Sequence, residues 1–259
     1  MKSSATETVL LVLLAFALIS GLGVGPVAAS DPDALWKIVK DQCLAHYFEN
    51  GSKDPCTDLD PDGGRGYAVL KDRVGIAQFL LIPTKRLGGI ESPELLKDDA
   101  PNYWAYAWKT KSSVADRLQR PLSRDQVVLT INSAFGRSQN QLHIHIDCIR
   151  ADIHDLLRRH LAEIGDRWAP LKVRLDNHPY WARRVLGTDL DGNNPFRLLA
   201  EGFSLDSQAM ARRTLAVTGA MFNGEQEGFV LLTDQVDFSL GNLAHGEELQ
   251  DHDCKPAVP

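Results

Sequence analysis

Two histidines spaced two residues apart carry the sharpest chemical signal in the sequence. They lie in Gly136-Arg137-Ser138-Gln139-Asn140-Gln141-Leu142-His143-Ile144-His145-Ile146-Asp147-Cys148, where polar and apolar residues alternate strictly from Gln141 onward. Successive side chains of a β-strand point to opposite faces. A strand over 141–148 therefore sends Leu142, Ile144, Ile146 and Cys148 into a core. It gathers Gln141, His143, His145 and Asp147 on the other face, at intervals of about 6–7 Å. An exposed strand face ordinarily carries Thr, Lys and Glu, so paired imidazoles call for a function. Two chemistries suit them. Imidazole and carboxylate groups can ligate a metal ion. Neutral imidazole is also a good nucleophile near pH 7, because its pKa lies there, and it can carry a phosphoryl or nucleotidyl group covalently.

The metal reading resembles the metallo-β-lactamase pattern, but that pattern needs a further His directly after the Asp, where this chain has Cys148. The nucleophile reading fits better. The run from Gly136 and Ser138 to His143 and His145 resembles the signature of the histidine-triad hydrolases and transferases: Gly-Gln-Ser/Thr, two spacer residues, then alternating histidines. Aligned on Gly136 and Ser138, Gln141 takes the first histidine's place. His143 takes the middle place, the family's nucleophile, and His145 takes the third. The stretch Phe79-Leu80-Leu81-Ile82-Pro83-Thr84-Lys85-Arg86 is similar to the family's strand ending in Ile-Pro-Lys-x-His. Arg86 stands where a phosphate-contacting His often lies. Asn132 resembles the family's Asn near the nucleotide. The resemblance implies catalysis by His143 and His145, with Arg86, Asn132, Gly136, Ser138 and Gln141 binding substrate. Gln141 cannot titrate, so it is expected to orient His143 rather than activate it. Arg86 would set a fixed positive charge beside a pyrophosphate diester.

The match is closer still to one branch, the CDP-diacylglycerol pyrophosphatases of bacterial inner membranes. Leu70-Lys71-Asp72-Arg73-Val74-Gly75, residues 139–148 and Glu248-Leu249-Gln250-Asp251-His252 look like theirs. The apolar N-terminus and the four cysteines do too. This resemblance implies hydrolysis of CDP-diacylglycerol to CMP and phosphatidate through a CMP–His143 adduct, with no metal and no cofactor. The implied partner is a lipid-linked nucleotide; oligomeric state stays open. The alternatives are a hydrolase of soluble nucleotide diphosphates and a nucleotidyl transferase that passes CMP to an acceptor other than water. A binding module with an inert histidine strand is a third class, and the retained Gly136 and Ser138 count against it.

The elements that must position these residues follow from periodicity. Helices are expected at 34–48, 101–120, 150–164 and 206–217. Strands are expected at 66–71, 76–82, 126–132, 141–148, 171–175, 180–186, 196–200 and 227–233. Strands joined by short turns and separated by helices imply an α+β fold with a mostly antiparallel sheet, and the resemblance makes it histidine-triad-like. Residues 171–233 form either a second strand–helix–strand half or an extension of the first sheet. His46, His154, His160, His245 and His252 read as solvated. His178-Pro179-Tyr180-Trp181 with Arg183 and Arg184 reads as packing with a basic edge.

The chain has 259 residues, 44% of them hydrophobic, and a formal charge of −6. That is ample for a core, and the mild acidity argues against a nucleic-acid binder. Residues 9–29 contain no charged side chain; about 20 apolar residues can span a bilayer. Lys2 and the terminal amine precede the run and Asp31 and Asp33 follow it. This bias, weakened by Glu7, places the N-terminus in the cytoplasm and the rest outside; the family resemblance implies that the membrane is the bacterial inner membrane and the outside its periplasm. Val27-Ala28-Ala29 resembles a signal-peptide cleavage site, but the length of the run favours an uncleaved transmembrane helix. The expected organisation is an anchor at 1–30 and a catalytic domain at 31–259. Cys43, Cys56, Cys148 and Cys254 all fall in the exported part. An even count there suggests two disulfides with three connectivities open. Cys43–Cys56 is the local choice, and Cys148–Cys254 would then tie the tail to the histidine strand.

Overall fold

A computed structural model describes residues 31–255. The anchor expected within 1–30 lies outside the described residues. Among those described, no helix is long and apolar enough to cross a membrane. Among the described residues, nine strands form one sheet in the order β1-β2-β3-β5-β4-β8-β9-β7-β6, and every neighbouring pair is antiparallel. They are β1 (Asp58–Asp60), β2 (Tyr67–Lys71), β3 (Phe79–Pro83), β4 (Val127–Ile131), β5 (Ile144–Cys148), β6 (Ala169–Leu175), β7 (His178–Leu186), β8 (Leu215–Phe222) and β9 (Gln226–Thr233). The fold is α+β, as expected. The strands of 169–233 extend the first sheet.

The two faces of the sheet are covered differently, and that difference makes the site. One face packs against α3 (Tyr103–Lys109), α4 (Ser112–Leu118) and α6 (Pro195–Phe203). Trp104, Val114, Phe196 and Leu199 meet Leu81, Leu129, Ile144, Ile146 and Phe229 there. The other face is covered in two separate pieces. Over one end, Ile153 and Leu157 of α5 (Ala151–His160) pack on Val128, Ala216, Val230 and Leu232. Over the other end, Val39 and Cys43 pack on Ala68, Leu70, Leu80 and Ile82. These two residues lie in a helical stretch that runs through α1 (Ala34–Ile38), a π-helical segment (Val39–Leu44) and α2 (Ala45–Asn50). Strand β5 joins neither cluster on this face. Its Ile144, Ile146 and Cys148 face the first core, so His145 and Asp147 point into the gap between the two covers.

Three expected elements differ. Residues 196–200 are helical, because Asn194 accepts a capping bond from Phe196 N and Pro195 occupies the first turn; proline there forfeits only an N–H that has no partner in a helix anyway. The helix expected at 206–217 stops at Met210, and Leu215–Phe222 becomes a central strand between β4 and β9. The helix expected at 101–120 is broken after Lys109 into α3 and α4. The ladder of the histidine strand starts only at Ile144, and that of the strand expected from 76 starts at Phe79.

Both disulfides pair as the local-choice reading has them, Cys43–Cys56 and Cys148–Cys254, across 13 and 106 residues. In the chain-entropy model, closing about 15 residues contributes about 3 kcal/mol and about 100 residues about 4.7 kcal/mol. The pair Cys148→Ser/Cys254→Ser should therefore lower the calorimetric Tm more than Cys43→Ser/Cys56→Ser. Equal or reversed losses would show that something other than chain restraint governs the two bridges.

Candidate active site

Strand β5 lies between β3 and β4, with His145 opposite Leu80 on one side and Thr130 on the other. His143 stands one residue before the ladder. Both histidines are buried below an open cleft of about 590 Å³. Leu35 and Ile38 form an apolar wall. Lys71, Asp72 and Arg73 come from the β2–β3 hairpin. Asn132, Gly136 and Ser138 follow β4, and His245 and Glu247 arrive from the C-terminal segment.

The ring of His143 donates from Nδ1 to the Gln141 carbonyl at 2.7 Å. A carbonyl can only accept, so the proton sits on Nδ1 and the lone pair on Nε2. Burial pulls this imidazole below its ordinary pKa, with the carbonyl bond opposing. The ring of His145 lies 4.7 Å away, centroid to centroid. Its Nδ1 is 2.6 Å from Gln78 Nε2. The same amide donates to Asp72 Oδ2 at 3.2 Å, which orients it. His145 Nδ1 is then an acceptor, and Nε2 carries the proton. Burial, followed by the neighbouring histidines 143, 245 and 252, holds His145 well below the ordinary imidazole range. Glu247 Oε1 sits 3.3 Å from His145 Nε2, 3.3 Å from His245 Nε2 and 2.7 Å from the Asn132 amide that donates to it. The cleft thus holds two buried neutral imidazoles, a third at its rim, a carboxylate between them and two cations on the facing hairpin.

The sequence model of the CDP-diacylglycerol pyrophosphatase family matches residues 30–258. The chain belongs to the CDP-diacylglycerol pyrophosphatase family. A Yersinia pestis protein named CDP-diacylglycerol pyrophosphatase is 39% identical over 252 residues, covering 96% of this chain and 95% of that protein. The family match spans every residue that lines the cleft.

Not every residue expected in the site of a CDP-diacylglycerol pyrophosphatase reaches the cleft. Asn132, Gly136, Ser138, His143 and His145 line it. Gln141 does not. Its side chain is fully buried, donates to the Pro83 and Lys85 carbonyls and accepts from Leu87 N. Only its main-chain carbonyl orients His143. Arg86 is also elsewhere: it pairs with Asp33 and lies over the Trp36 ring. Arg137 forms a two-pronged bond to Glu91. Asp147 shares the histidine face, but its carboxylate accepts from Cys148 N and bonds His252 at 2.8 Å. It therefore does not converge with His143 and His145 into a ligand set. His245 and His252, expected to be solvated, are corrected: the first lines the cleft and the second is half-buried against Asp147. Lys71, Arg73, Gln78, His245 and Glu247 are additions. Lys71 and Arg73 sit in a stretch whose likeness to the family was already visible. His245 and Glu247 lie in an irregular tail with no periodicity to flag them.

Because burial lowers the pKa of His143, its lone pair survives below pH 6.5, where an ordinary imidazole is half protonated. A pH profile of kcat/KM should show an acid limb centred below pH 6.5, the ordinary imidazole value. An acid limb centred above pH 6.5 would mean that the essential base is a different group.

Proposed function

We propose that the chain hydrolyses the pyrophosphate bond of CDP-diacylglycerol to CMP and phosphatidate, with His143 as a covalent nucleophile. The observation that carries this reading is the bond from His143 Nδ1 to the Gln141 carbonyl. It leaves the Nε2 lone pair free on a buried, neutral ring that lines the cleft. In the first step Nε2 attacks the phosphorus that bears the cytidine. The bond from that phosphorus to the bridging oxygen breaks, and phosphatidate leaves with the bridging electron pair. The positive charge that develops on the ring is shared with the Gln141 carbonyl through Nδ1–H. In the second step water attacks the same phosphorus, the P–N bond breaks and CMP departs. The His143 lone pair is restored. Splitting one hard displacement into two easier ones is the gain of covalent catalysis.

The remaining groups divide the work. His145 Nε2–H can donate to a phosphoryl oxygen. Ser138 and the N–H groups of 136–138 add further donors where negative charge grows. Lys71 and Arg73 take the phosphate-neutralising role assigned from sequence to Arg86. His245, held against Glu247, is the group that takes the proton from the attacking water. The histidine-triad-like assignment is supported by Gly136 and Ser138 at their spacing and by the paired histidines in an antiparallel sheet. The apolar run at 9–29 and two disulfides support an inner-membrane anchor with the catalytic domain in the periplasm.

The test uses the full chain and CDP-diacylglycerol labelled on the cytidine-bearing phosphate. After an alkaline denaturing quench, which preserves phosphoramidates, the label should remain on His143. His143→Ala should lose both the label and essentially all turnover. His145→Ala should lose less, about 100- to 1000-fold in kcat, as for removal of one transition-state donor. EDTA should leave the wild type active. Turnover that persists in His143→Ala, or a wild type killed by EDTA and restored by zinc, would sink the nucleophile and favour a metal site. Label passing to an added alcohol instead of water would favour the transferase.

A further inference from the structure

Beside the cleft, outside its lining, lies an apolar surface that the reaction does not use. Phe135, Trp181, Phe238, Leu240 and Leu243 are between 36% and 61% exposed. Phe135 and Phe238 meet edge to face at 5.4 Å. The Arg212 guanidinium lies over both rings, at 5.6 and 5.3 Å. Trp181, Arg212, Phe238 and Leu240 border one shallow depression. Large side chains left in water at this density are unfavourable unless something covers them.

This surface is continuous with the cleft through two loops. Phe135 immediately precedes Gly136, and Leu243 lies two residues before His245. The loops are bonded to each other: Ser133 Oγ donates to the Leu243 carbonyl at 2.5 Å, and Ser133 N donates to the Ala244 carbonyl at 3.1 Å. Each loop therefore presents a cleft residue on one side and an exposed apolar residue beside it.

We propose that this patch is a membrane-docking surface that seats the cleft on the bilayer holding the lipid substrate. Three features select a bilayer as the occupant. A lipid with two acyl chains keeps its diphosphate at the headgroup level, so the cleft mouth must reach that level. Phenylalanine, leucine and tryptophan around an arginine match the interface, where aromatic rings sit among headgroups and guanidinium binds phosphate. The direction of the chain agrees. Asn140 N donates to the Pro32 carbonyl at 2.6 Å, and Gln139 Nε2 donates to the Asp31 carbonyl at 2.9 Å. The loop that carries Phe135 thus also holds the first described residues, which directly follow the uncharged run 9–29. This inference rests on the lipid substrate and not on the covalent intermediate.

All four native cysteines are in disulfides, so Ser239→Cys gives one free thiol inside the patch. The full chain, labelled there with an environment-sensitive dye, is mixed with phosphatidylethanolamine–phosphatidylglycerol vesicles containing brominated lipid. Dye emission should shift to the blue and be quenched by the bromines. In parallel, Phe238→Ser/Leu240→Ser should lose about tenfold in turnover of long-chain CDP-diacylglycerol in vesicles, since interfacial binding scales with buried apolar area. It should keep wild-type turnover of a short-chain, monomerically dispersed CDP-diacylglycerol. Equal losses on both substrates, or none on either, would overturn the docking role. So would a blue shift that tracks protein concentration without bromine quenching, which marks contact with a second copy. Failure of the His143 adduct alone would leave the quenching result standing.

Discussion

At the entry to β5 the Gln141 carbonyl accepts the Nδ1 proton of His143, and much of the site follows from that bond. It selects the tautomer, aims the ring and leaves one nitrogen for chemistry. It also explains how a glutamine can stand two residues before His143 without its side chain touching that ring. The contact is made by the main chain, so the side chain at 141 is released to another task. It ties down Pro83 at the end of β3 and Lys85 and Leu87 just beyond it through three hydrogen bonds. A buried amide with every group paired is strongly position-fixing, because leaving any of them unpaired costs about 1–3 kcal/mol. The backbone that orients His143 is thereby clamped from the side.

The C-terminal segment completes the site by splitting two adjacent carboxylates between opposite tasks. Glu247 reaches into the cleft toward Asn132, His145 and His245. Its neighbour Glu248 turns away to His178 and to the Tyr180 hydroxyl, which donates to it at 2.6 Å. Burial raises both the Glu248 carboxyl and the Tyr180 phenol above their usual ranges. Gly246 makes this geometry possible: a Cβ there would lie 2.7 Å from Thr214 Oγ1 and 3.0 Å from Thr130 Cβ. The turn must press that close to β4 and to Thr214, just ahead of β8, for Glu247 to reach the imidazoles. The Cys148–Cys254 bridge and the His252–Asp147 bond fasten the same tail to β5 just beyond.

How much of this was legible in the sequence depended on periodicity. The histidine strand was legible because its alternation is strict and its apolar half is all Leu, Ile and Cys. The disulfides were legible because four cysteines admit only three pairings and Cys43 and Cys56 lie close in sequence. β8 was missed because its Leu-Ala-Val-Thr-Gly-Ala run follows a Ser-Gln-Ala-Met helix without a Gly or Pro between them. Short apolar runs do not distinguish helix from strand. α6 was misread for the same reason, although Asn194-Pro195 is a start signal in hindsight. Lys71 and Arg73 were visible as part of a family-like stretch, but sequence does not show which side of a hairpin faces the histidines. His245 and Glu247 depend on long-range folding of an irregular tail, so only residue type hinted at them. Arg86 was assigned by its place in a motif, and the nearby Asp33, brought close by α1, captured it instead.

Charge imposes a last constraint on how such a site meets its substrate. The chain carries a formal charge of −6, and an anionic diphosphate in a bilayer gains nothing from that field. At physiological ionic strength the field decays over about 8 Å, so only charges at the cleft itself matter. Two are placed there. Lys71 is partly buried, donates to the Asp72 and Gly75 carbonyls, and is pulled below the usual lysine range by that burial. Its charge is costly to hold until an anion arrives, which favours occupancy by a phosphate. Arg73 is exposed at the cleft, where its planar guanidinium can meet phosphate oxygens in two-pronged fashion. Attraction at a distance is therefore weak and attraction on contact is strong. Capture then depends on contact: a diphosphate is held only once it lies within the cleft, where Lys71 and Arg73 flank the buried His143 and its free lone pair.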